Sequence, residues 1–587
     1  VKFKAISSGP RRGEFVTRRL NGGVNYSFTY GLTASELIDC ADVDLSESGA
    51  IGSRRAFIPF TTCELDQPVV AAWTWQDKMG NDYMFVVMED LEIRQRRGGE
   101  ECFGETVFGT ISDEDSRCLP HAWSAGGWLY VSDGFRVIRW GGEGFPTTDD
   151  VTSVFVHPMN ITPEVTNLGV PPNCAATTYR DTVFIANTLV YMTDPDAVWW
   201  SAPVAEQPDG APLEGLLTGQ EDFYENQRIT FITGNQADRI SKLVSAGPTL
   251  YAFKRHSVHV LSTNGSTVLT NDLTTNLGLA GPKAVTVHNN SVWFFDEHEG
   301  LHVIAGNSLP EKVFDPIFPL LDCGRISNAE TVAVGFDGTK VFVSCCLDSD
   351  VPVNNTTFVL HTNLSSTSKG GAWTRWDVGF SEFARWEPQA NDSSLVGFTT
   401  GAGGRPLGAV RLNECTNAIV DDYGFTTEEY APWFKTAFFD DGLPNLTKQW
   451  KRVALTVVGT DRTTMTMKAT TGPKPRSTPS CEQPGYLQPL IPGGQTGLID
   501  LDLTPYECDP PESVLLCDTD SKGETYQNGP VFCGDVVGVG PVAARAVRVA
   551  TPGRGVSFSI EVHDVGSEAA WTVEELDVKY AAITERS

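Results

Sequence analysis

The sequence predicts an all-β chain: a β-propeller of about six to eight blades, with a β-rich, sandwich-like platform formed by its N- and C-terminal parts. Three observations carry this expectation. Gly (56) and Pro (35) are plentiful, Thr and Val are frequent, and long runs of helix formers are nearly absent, a balance that favours short strands joined by turns. A strand–turn–strand pattern recurs along the middle of the chain. The apolar runs are strand-length and often aromatic on both alternating positions, as expected of strands buried on both faces.

The recurrence is clearest at Val292-Trp293-Phe294-Phe295, turn Asp296 to Gly300, then Leu301-His302-Val303-Ile304. It returns at Trp128 to Val131, turn Ser132-Asp133-Gly134, then Phe135 to Ile138, and at Leu250 to Phe253 followed by Ser257 to Leu261. Weaker members begin near Tyr83, Val183, Val341 and Ser394. Starts roughly 40 to 70 residues apart match one four-stranded propeller blade with variable loops. Stacked sandwiches are the competing architecture.

With 587 residues the chain exceeds one ordinary core. The pattern divides it into an N-terminal arm with its first strands (1–65), the propeller (66–425) and a C-terminal β-domain (426–587). In the last part, Trp450 to Val458, Thr464 to Lys468, Val556 to Val562 and Trp571 to Tyr580 alternate as half-buried strands do. Between them lies an insertion, 472–540, rich in Pro, Gly and acid and holding Cys481, Cys508, Cys517 and Cys533. A stretch that long without pattern is a functional loop or a separate excursion.

The net charge of −30 is adverse to gripping a polyanion. It serves solubility, or a conduit whose wall repels DNA. The first 20 residues run the other way, with six Lys/Arg against the single acid Glu14, and suit either solvent or an acidic neighbour. No apolar run approaches the ~20 residues of a membrane span, and no apolar stretch follows the basic N-terminus as in a signal peptide. The 13 cysteines, odd in number and scattered, read mostly as buried reduced thiols; adjacent Cys345 and Cys346 would point to opposite faces of a strand.

His298-Glu299-Gly300-Leu301-His302 matches H-E-x-x-H, but zinc proteolysis needs both histidines on one helical face. This string straddles a turn and a strand. Asp518 to Glu524 is an acidic turn without the spacing of a calcium loop. His256 and His259, three apart, fall on opposite strand faces. Trp199-Trp200 would form a carbohydrate platform if exposed, and a blade-closing pair if packed. With no zinc-ribbon, Walker or nucleophile-elbow spacing, the expectation is a non-enzyme with no catalytic residue, cofactor or metal ligand.

Three groups of segments together resemble the tail nozzle proteins of short-tailed bacteriophages, the group that includes tail tubular protein B and packaged-DNA stabilisation proteins. The first is Leu20-Asn21-Gly22-Gly23-Val24-Asn25 with Glu36-Leu37, Val43 to Ile51 and Arg54-Arg55; Asp42 stands where an Asn is common in the family. The second runs Tyr179 to Ala186, Val190 to Asp194 and Trp200-Ser201, then Leu250 to Arg255 with Val258 to Leu261, Gly278 to Ala284, Val292 to Phe295 and Gly300-Leu301. The third is Lys435-Thr436, Lys448 to Val453, Trp571-Thr572-Val573 and Val578-Lys579-Tyr580. The resemblance covers most of the chain outside 472–540.

That resemblance implies a virion structural protein, assembled in the bacterial host cytoplasm. Its form would be a homo-hexameric ring beside the tail adaptor and portal-side rings and the tail fibre or spike proteins. The ring would retain and then conduct double-stranded DNA through its lumen without sequence-specific binding, and would not be catalytic. The other readings are a tail-tip or baseplate protein of a long-tailed phage, and a propeller that binds or hydrolyses carbohydrate.

Overall fold

The computed structural model describes residues 12–17, 20, 22–26, 35–46, 49–110, 117–145, 147–151, 170–180, 182–188, 197–201, 223–230, 238–263, 268–288, 290–364, 371–387, 393–416, 419–439, 448–458, 464–472, 496–502, 545–555, 557–564 and 570–582. Strands dominate them. The α-helix Phe318–Asp322 is a single short turn, and no described helix is long and apolar enough to cross a membrane.

Seven antiparallel four-stranded meanders follow one another among the described residues. Blade 1 is Val69–Gln76, Asp82–Met88, Glu92–Arg97 and Gly104–Thr110. Blade 2 is His121–Ala125, Trp128–Ser132, Val137–Trp140 and Asp149–Asp150. Blade 3 is Ala175–Tyr179, Thr182–Ala186, Ala197–Ser201 and Phe223–Thr230. Blade 4 is Ile240–Ala246, Thr249–Lys254, Val258–Thr263 and Val268–Thr274. Blade 5 is Val285–His288, Ser291–Asp296, Gly300–Ala305 and Glu311–Lys312. Blade 6 is Ala333–Phe336, Lys340–Leu347, Thr356–His361 and Ala372–Trp376, with Ile326–Ser327 as an added short strand. Blade 7 is Phe380–Trp386, Ser394–Thr399 and Ala409–Thr416, and its fourth strand is Ala56–Pro59, from before blade 1. The seven recurrences read from the sequence fall on the second strands of these blades.

The first strands of successive blades lie side by side around the ring, and that of blade 7 lies beside that of blade 1. The circle is therefore closed, and the apolar core sits between blades rather than at the centre. In blade 1, Tyr83, Phe85 and Val87 pack with Leu129, Val131 and Trp140 of blade 2. The alternate residues Met84, Val86 and Met88 pack with Val396, Phe398 and Trp386 of blade 7. Blade 3 does the same, sending Val183 and Ile185 to blade 2 and Phe184 and Ala186 to blade 4. Period-2 alternation with apolar residues at both phases is the consequence of burial on both faces.

Both ends of the chain build a second unit. One sheet orders Val43–Leu45, Ile51–Ser53, Thr572–Ala582, Lys448–Val458 and Arg545–Gly555, with Arg12–Thr17 also on Thr572–Ala582. The other orders Gly23–Val24, Glu36–Ala41, Trp433–Thr436, Ser557–Asp564, Thr464–Gly472 and Thr496–Asp502. Leu37, Ile51, Phe434, Leu455, Ile560, Val562, Trp571 and Leu576 are buried in the core of this sandwich. The segment 1–65 thus contributes to both units: its earlier strands join the C-terminal sandwich, and Ala56–Pro59 completes the propeller. Of the 472–540 insertion, the strand Thr496–Asp502 is described; the rest, with Cys481, Cys508, Cys517, Cys533 and the acidic turn Asp518 to Glu524, lies outside the described residues. The arm before Arg12 also lies outside them.

The Gly22-Gly23 pair has a steric cause. Gly23 has φ +77, and a Cβ there would come 2.4 Å from the Trp373 backbone; one on Gly22 would come 2.7 Å from the Ser35 carbonyl. Gly23 lets the first sandwich strand press against blade 6, and Gly22 lets it close against Ser35. The same interface holds the Asp39–Arg375 pair (2.9 Å), the Asp44–Lys340 pair (2.7 Å) and a Trp376 Nε1 bond to the Val43 carbonyl.

The chain enters the propeller after Ser53 and leaves it after Thr416, and one buried side chain ties both crossings. Arg54 Nε donates to Asp42 (2.8 Å), and its two terminal nitrogens fork onto Asp421 at 2.7 and 2.5 Å. The Tyr430 and Phe57 rings cover the guanidinium at 3.7 and 4.3 Å. Asp421 also accepts the Phe57 amide, and the Tyr430 hydroxyl donates to the Arg54 carbonyl. Asp42, placed where an Asn was the more common expectation, has φ +51, a conformation both residues tolerate; as Asp it also supplies charge to Arg54.

The cysteines require a correction. Cys63–Cys102 and Cys118–Cys174 are disulfides with Cα–Cα separations of 5.4 and 5.8 Å. Cys323 is also disulfide-bonded, to a partner outside the described side chains. Cys40, Cys345 and Cys346 are buried free thiols. Blade geometry brings together cysteines 39 and 56 residues apart, which parity and linear scatter do not reveal.

Candidate functional site

The innermost strand of each blade begins at one end of the ring axis, and its start can be compared across blades by its partner on the second strand. Opposite the penultimate residue of that second strand stand Ala71 in blade 1, Ala122 in blade 2 and Ala176 in blade 3. In blade 5 the Ala284 carbonyl accepts the Phe295 amide at the same level. At this position blade 4 has Lys242, opposite Phe253, and blade 7 has Glu382, opposite Phe398. Both follow a register shift, between Ile240 and Lys242 and between Phe380 and Glu382, as does Ala71, between Val69 and Ala71. Such an extra residue re-aims the side chain after it. Lys283 lies next to Ala284, and its carbonyl accepts the Val334 amide of blade 6.

Ala71, Ala122 and Ala176 pack against the inter-blade cores, whereas Lys242, Lys283 and Glu382, from three different blades, lie close enough for Glu382 to feel both lysines. Burial raises Glu382 to about 7, and the fields of Lys283 and Lys242 only partly oppose this. Burial lowers both lysines, with Glu382 partly restoring them. Glu382 accepts the Phe383 amide at 3.0 Å, but among the described residues neither lysine forms an ion pair. His121, at the start of blade 2, feels Lys242 and Asp133; burial pushes it down to about 4, so it is neutral at pH 7 and bonds Asn173 through Nε2 at 3.0 Å.

This predicts a pH-dependent gain on substitution. The folded state keeps a proton on Glu382 up to about pH 7, whereas the unfolded chain releases it near 4.5. Stability associated with this group is highest below 4.5 and falls as pH rises through that window. Glu382→Gln is expected to stabilise the protein by roughly 2–3 kcal/mol at pH 8 and by little at pH 4.5. Unfolding midpoints of both proteins at the two pH values check it; an equal shift at both would refute the placement.

At the other end of the axis, Arg385 pairs with Glu387 (2.6 Å) and contacts His288. The His288 ring stands edge-on to Phe336 with centroids 4.7 Å apart. Burial and the Arg385 charge both lower His288.

The histidines of the H-E-x-x-H string do not converge. His298 lies in the turn between two strands, where its amide donates to Asp296. Gly300 at the corner has φ +81, and a Cβ there would strike Phe314 at 2.2 Å. His302 is on the following strand, stacked on Phe294, with Nδ1 bonded to the Gly300 carbonyl. Among the described residues no group of three potential ligands is arranged to hold a metal ion.

A feature missed in the sequence is Ser257 Oγ–His259 Nε2 at 3.0 Å, with His259 Nδ1–Asp272 at 2.8 Å. This has the order of a catalytic triad. Alternation places Ser257 and His259 on one strand face, and Asp272 is the cross-strand partner of His259. Ser257 is only 4 % exposed and His259 0 %, so the hydroxyl offers no surface to a substrate; the chain of bonds ties two outer strands of blade 4. Trp199 and Trp200 are a wedge, not a platform: Trp199 is buried against Trp123 and Tyr130 of blade 2, and Trp200 packs on the blade 3–blade 4 cluster.

No known protein-family profile matches the chain, and no curated protein matches it. Among solved structures it is similar to BBS1N in complex with ARL6DN (9 % identity, TM-score 0.34, 61 % of this chain and 94 % of that one). It is also similar to YCF48 bound to D1 peptide (8 %, TM-score 0.31, 64 % and 97 %). A third is the extracellular domain of the one-component system BT4673 from B. thetaiotaomicron (10 %, TM-score 0.35, 73 % and 56 %). The chain is an all-β, propeller-bearing protein.

Proposed function

We propose that this protein is a structural ring subunit of a bacteriophage tail, of the nozzle type, rather than an enzyme. The observation that favours the reading is the way both chain ends form one sandwich clamped to the closed propeller through Arg54. A part that bears the pressure of packaged DNA must not unfurl, and here neither propeller terminus is free to peel away. The tail-nozzle resemblance runs through both units: Gly22-Gly23 at the sandwich–blade 6 contact, Leu250 to Phe253 and Val292 to Phe295 in the blades, and Trp571 in the sandwich core. The disulfides suit a particle that acts outside the reducing cytoplasm.

In this reading six copies surround a lumen, next to adaptor and portal-side rings on one side and fibres or spikes on the other. The net charge of −30 keeps phosphates from adhering, so that DNA slides. Electron microscopy of the purified protein and of virions is expected to show a six-fold annulus in the tail, below the portal. A solitary particle that cleaves a glycan would overturn the proposal.

A further inference from the structure

We propose that the junction of blades 1 and 7 carries a binding site for a small oxyanion, taken by the guanidinium of Arg96 beside Gly98, with Arg411 as a second positive charge. This goes beyond the ring-subunit reading and does not depend on it.

The first support is a buried donor without an acceptor. Arg96 is on the third strand of blade 1, opposite Met84, on the face turned to blade 7. It is only 8 % exposed, yet among the described residues its guanidinium forms no hydrogen bond and no ion pair, and Nε is sealed from solvent without a partner. Other arginines of this acid-rich chain find carboxylates: Arg94 holds Asp66 and Glu92, Arg139 holds Asp149 and Arg325 holds Asp348. What packs on Arg96 is aromatic. Its guanidinium carbon is 4.1 Å from the Phe60 ring centre and 5.7 Å from that of Trp386. Rings of this kind fix the position of a cation, and the N–H groups at its edge stay open to an acceptor.

The second support is charge. Arg411, on the third strand of blade 7 opposite Val396, has its guanidinium carbon 5.6 Å from the centre of the same Phe60 ring. Its field acts on Arg96 more strongly than that of Glu100, whose carboxylate is taken by the Arg97 amide at 2.7 Å. The surroundings are thus positive in a chain of net charge −30. The third support is space. Gly98 follows Arg96 by two residues, and a Cβ there would meet only the Trp386 ring edge at 3.8 Å and the Asp82 carbonyl at 3.9 Å. The absent side chain leaves a small group room beside the guanidinium. The ligand class follows: a guanidinium offers paired charge-assisted donors to a planar or tetrahedral oxyanion, the chemistry shared by carboxylate, sulfate and phosphate. Because Arg96 and Arg411 come from the first and last blades, the bound anion would reinforce the closure of the circle.

Calorimetric titration of the full chain with sulfate, at fixed ionic strength against chloride, is expected to show one site per chain. Arg96→Gln should weaken binding by about tenfold or more, and Arg96→Lys nearly as much, since it keeps the charge but loses the paired donors. Gly98→Leu, which fills the space without touching a charge, should have a loss of the same order. Glu100→Gln should instead tighten binding a few-fold, because it removes an opposing negative charge and still offers an acceptor to the Arg97 amide; a gain of this kind separates a lost ligand from a lost fold. Arg139→Gln, in blade 2, should leave affinity unchanged. No binding above the chloride control, or binding indifferent to both Arg96→Gln and Gly98→Leu, overturns the proposal. Displacement of sulfate by acetate would point to a carboxylate as the natural ligand, and displacement by inorganic phosphate to a phosphoryl group. Electron micrographs of the ring read the subunit proposal alone, so the two fail separately.

Discussion

Arg54→Met is expected to be the most damaging single substitution in this protein, lowering stability by about 4 kcal/mol or more. The guanidinium is fully buried, and Asp42 and Asp421 are almost wholly so. The two carboxylates together with the field of Tyr430 hold Arg54 well above its ordinary range against the cost of burial. Removing it strands two buried negative charges, and breaking a buried pair by deleting one partner typically costs 3–5 kcal/mol. Arg54→Lys keeps the charge but loses the fork to Asp421, and is expected to cost less. The triple variant Arg54→Met/Asp42→Asn/Asp421→Asn should recover most of the loss, since it removes the stranded charges as well. Because the network spans both crossings between sandwich and propeller, the single variant should also split unfolding into two transitions. Calorimetry checks both statements; one native-like transition at the native midpoint would refute the role assigned to Arg54.

The blades were legible because each is a local meander. The strand pairs that define them, such as Val292 to Phe295 with Leu301 to Ile304, lie within about a dozen residues, so turn chemistry and strand composition print the unit directly in the sequence. Burial on both faces was legible too, from strands such as Tyr83 to Met88 that are apolar at both phases. What could not be seen there depends on closing the circle. Ala56–Pro59 is four residues with no turn signal to mark it, and its partner strand begins at Ala409. Arg54, Asp42 and Asp421 read as ordinary charges until that closure brings them together. Lys242, Lys283 and Glu382, from three blades, likewise come within electrostatic reach of one another only in the ring. A usable signal was present for the last group: the phenylalanine before the end of the second strand in blades 4, 5 and 7, Phe253, Phe295 and Phe398, marks the register of those three blades. Ser257 and His259 were separable as well, because an i, i+2 pair shares a strand face.

Replacing Cys118 and Cys174 together by Ser is expected to lower stability by about 4 kcal/mol, with a similar loss for the Cys63 and Cys102 pair. The chain-entropy account gives nearly this much for cross-links that close loops of 56 and 39 residues. The position of the first pair makes it the more consequential. Cys118 precedes the inner strand of blade 2 and Cys174 that of blade 3, so the bond staples two neighbouring blades at the axial mouth. Around it the Ser132 hydroxyl donates to the Asn173 carbonyl at 2.8 Å. Gly134, with φ +82, leaves no room for a Cβ beside either sulfur, which would lie at 2.6 and 2.9 Å. Because the seven blades hold one another in a circle, loosening one junction weakens every other, and the native protein should lose cooperativity as well as midpoint when treated with a thiol reductant. The double-serine variant should be blind to reductant at that junction. Thiol titration of the native chain provides the sharper decision: the pairings require at least six of the 13 cysteines to be unreactive after denaturation without reductant, and finding all 13 reactive would remove both the staple and the argument it lends to a particle working outside the cytoplasm.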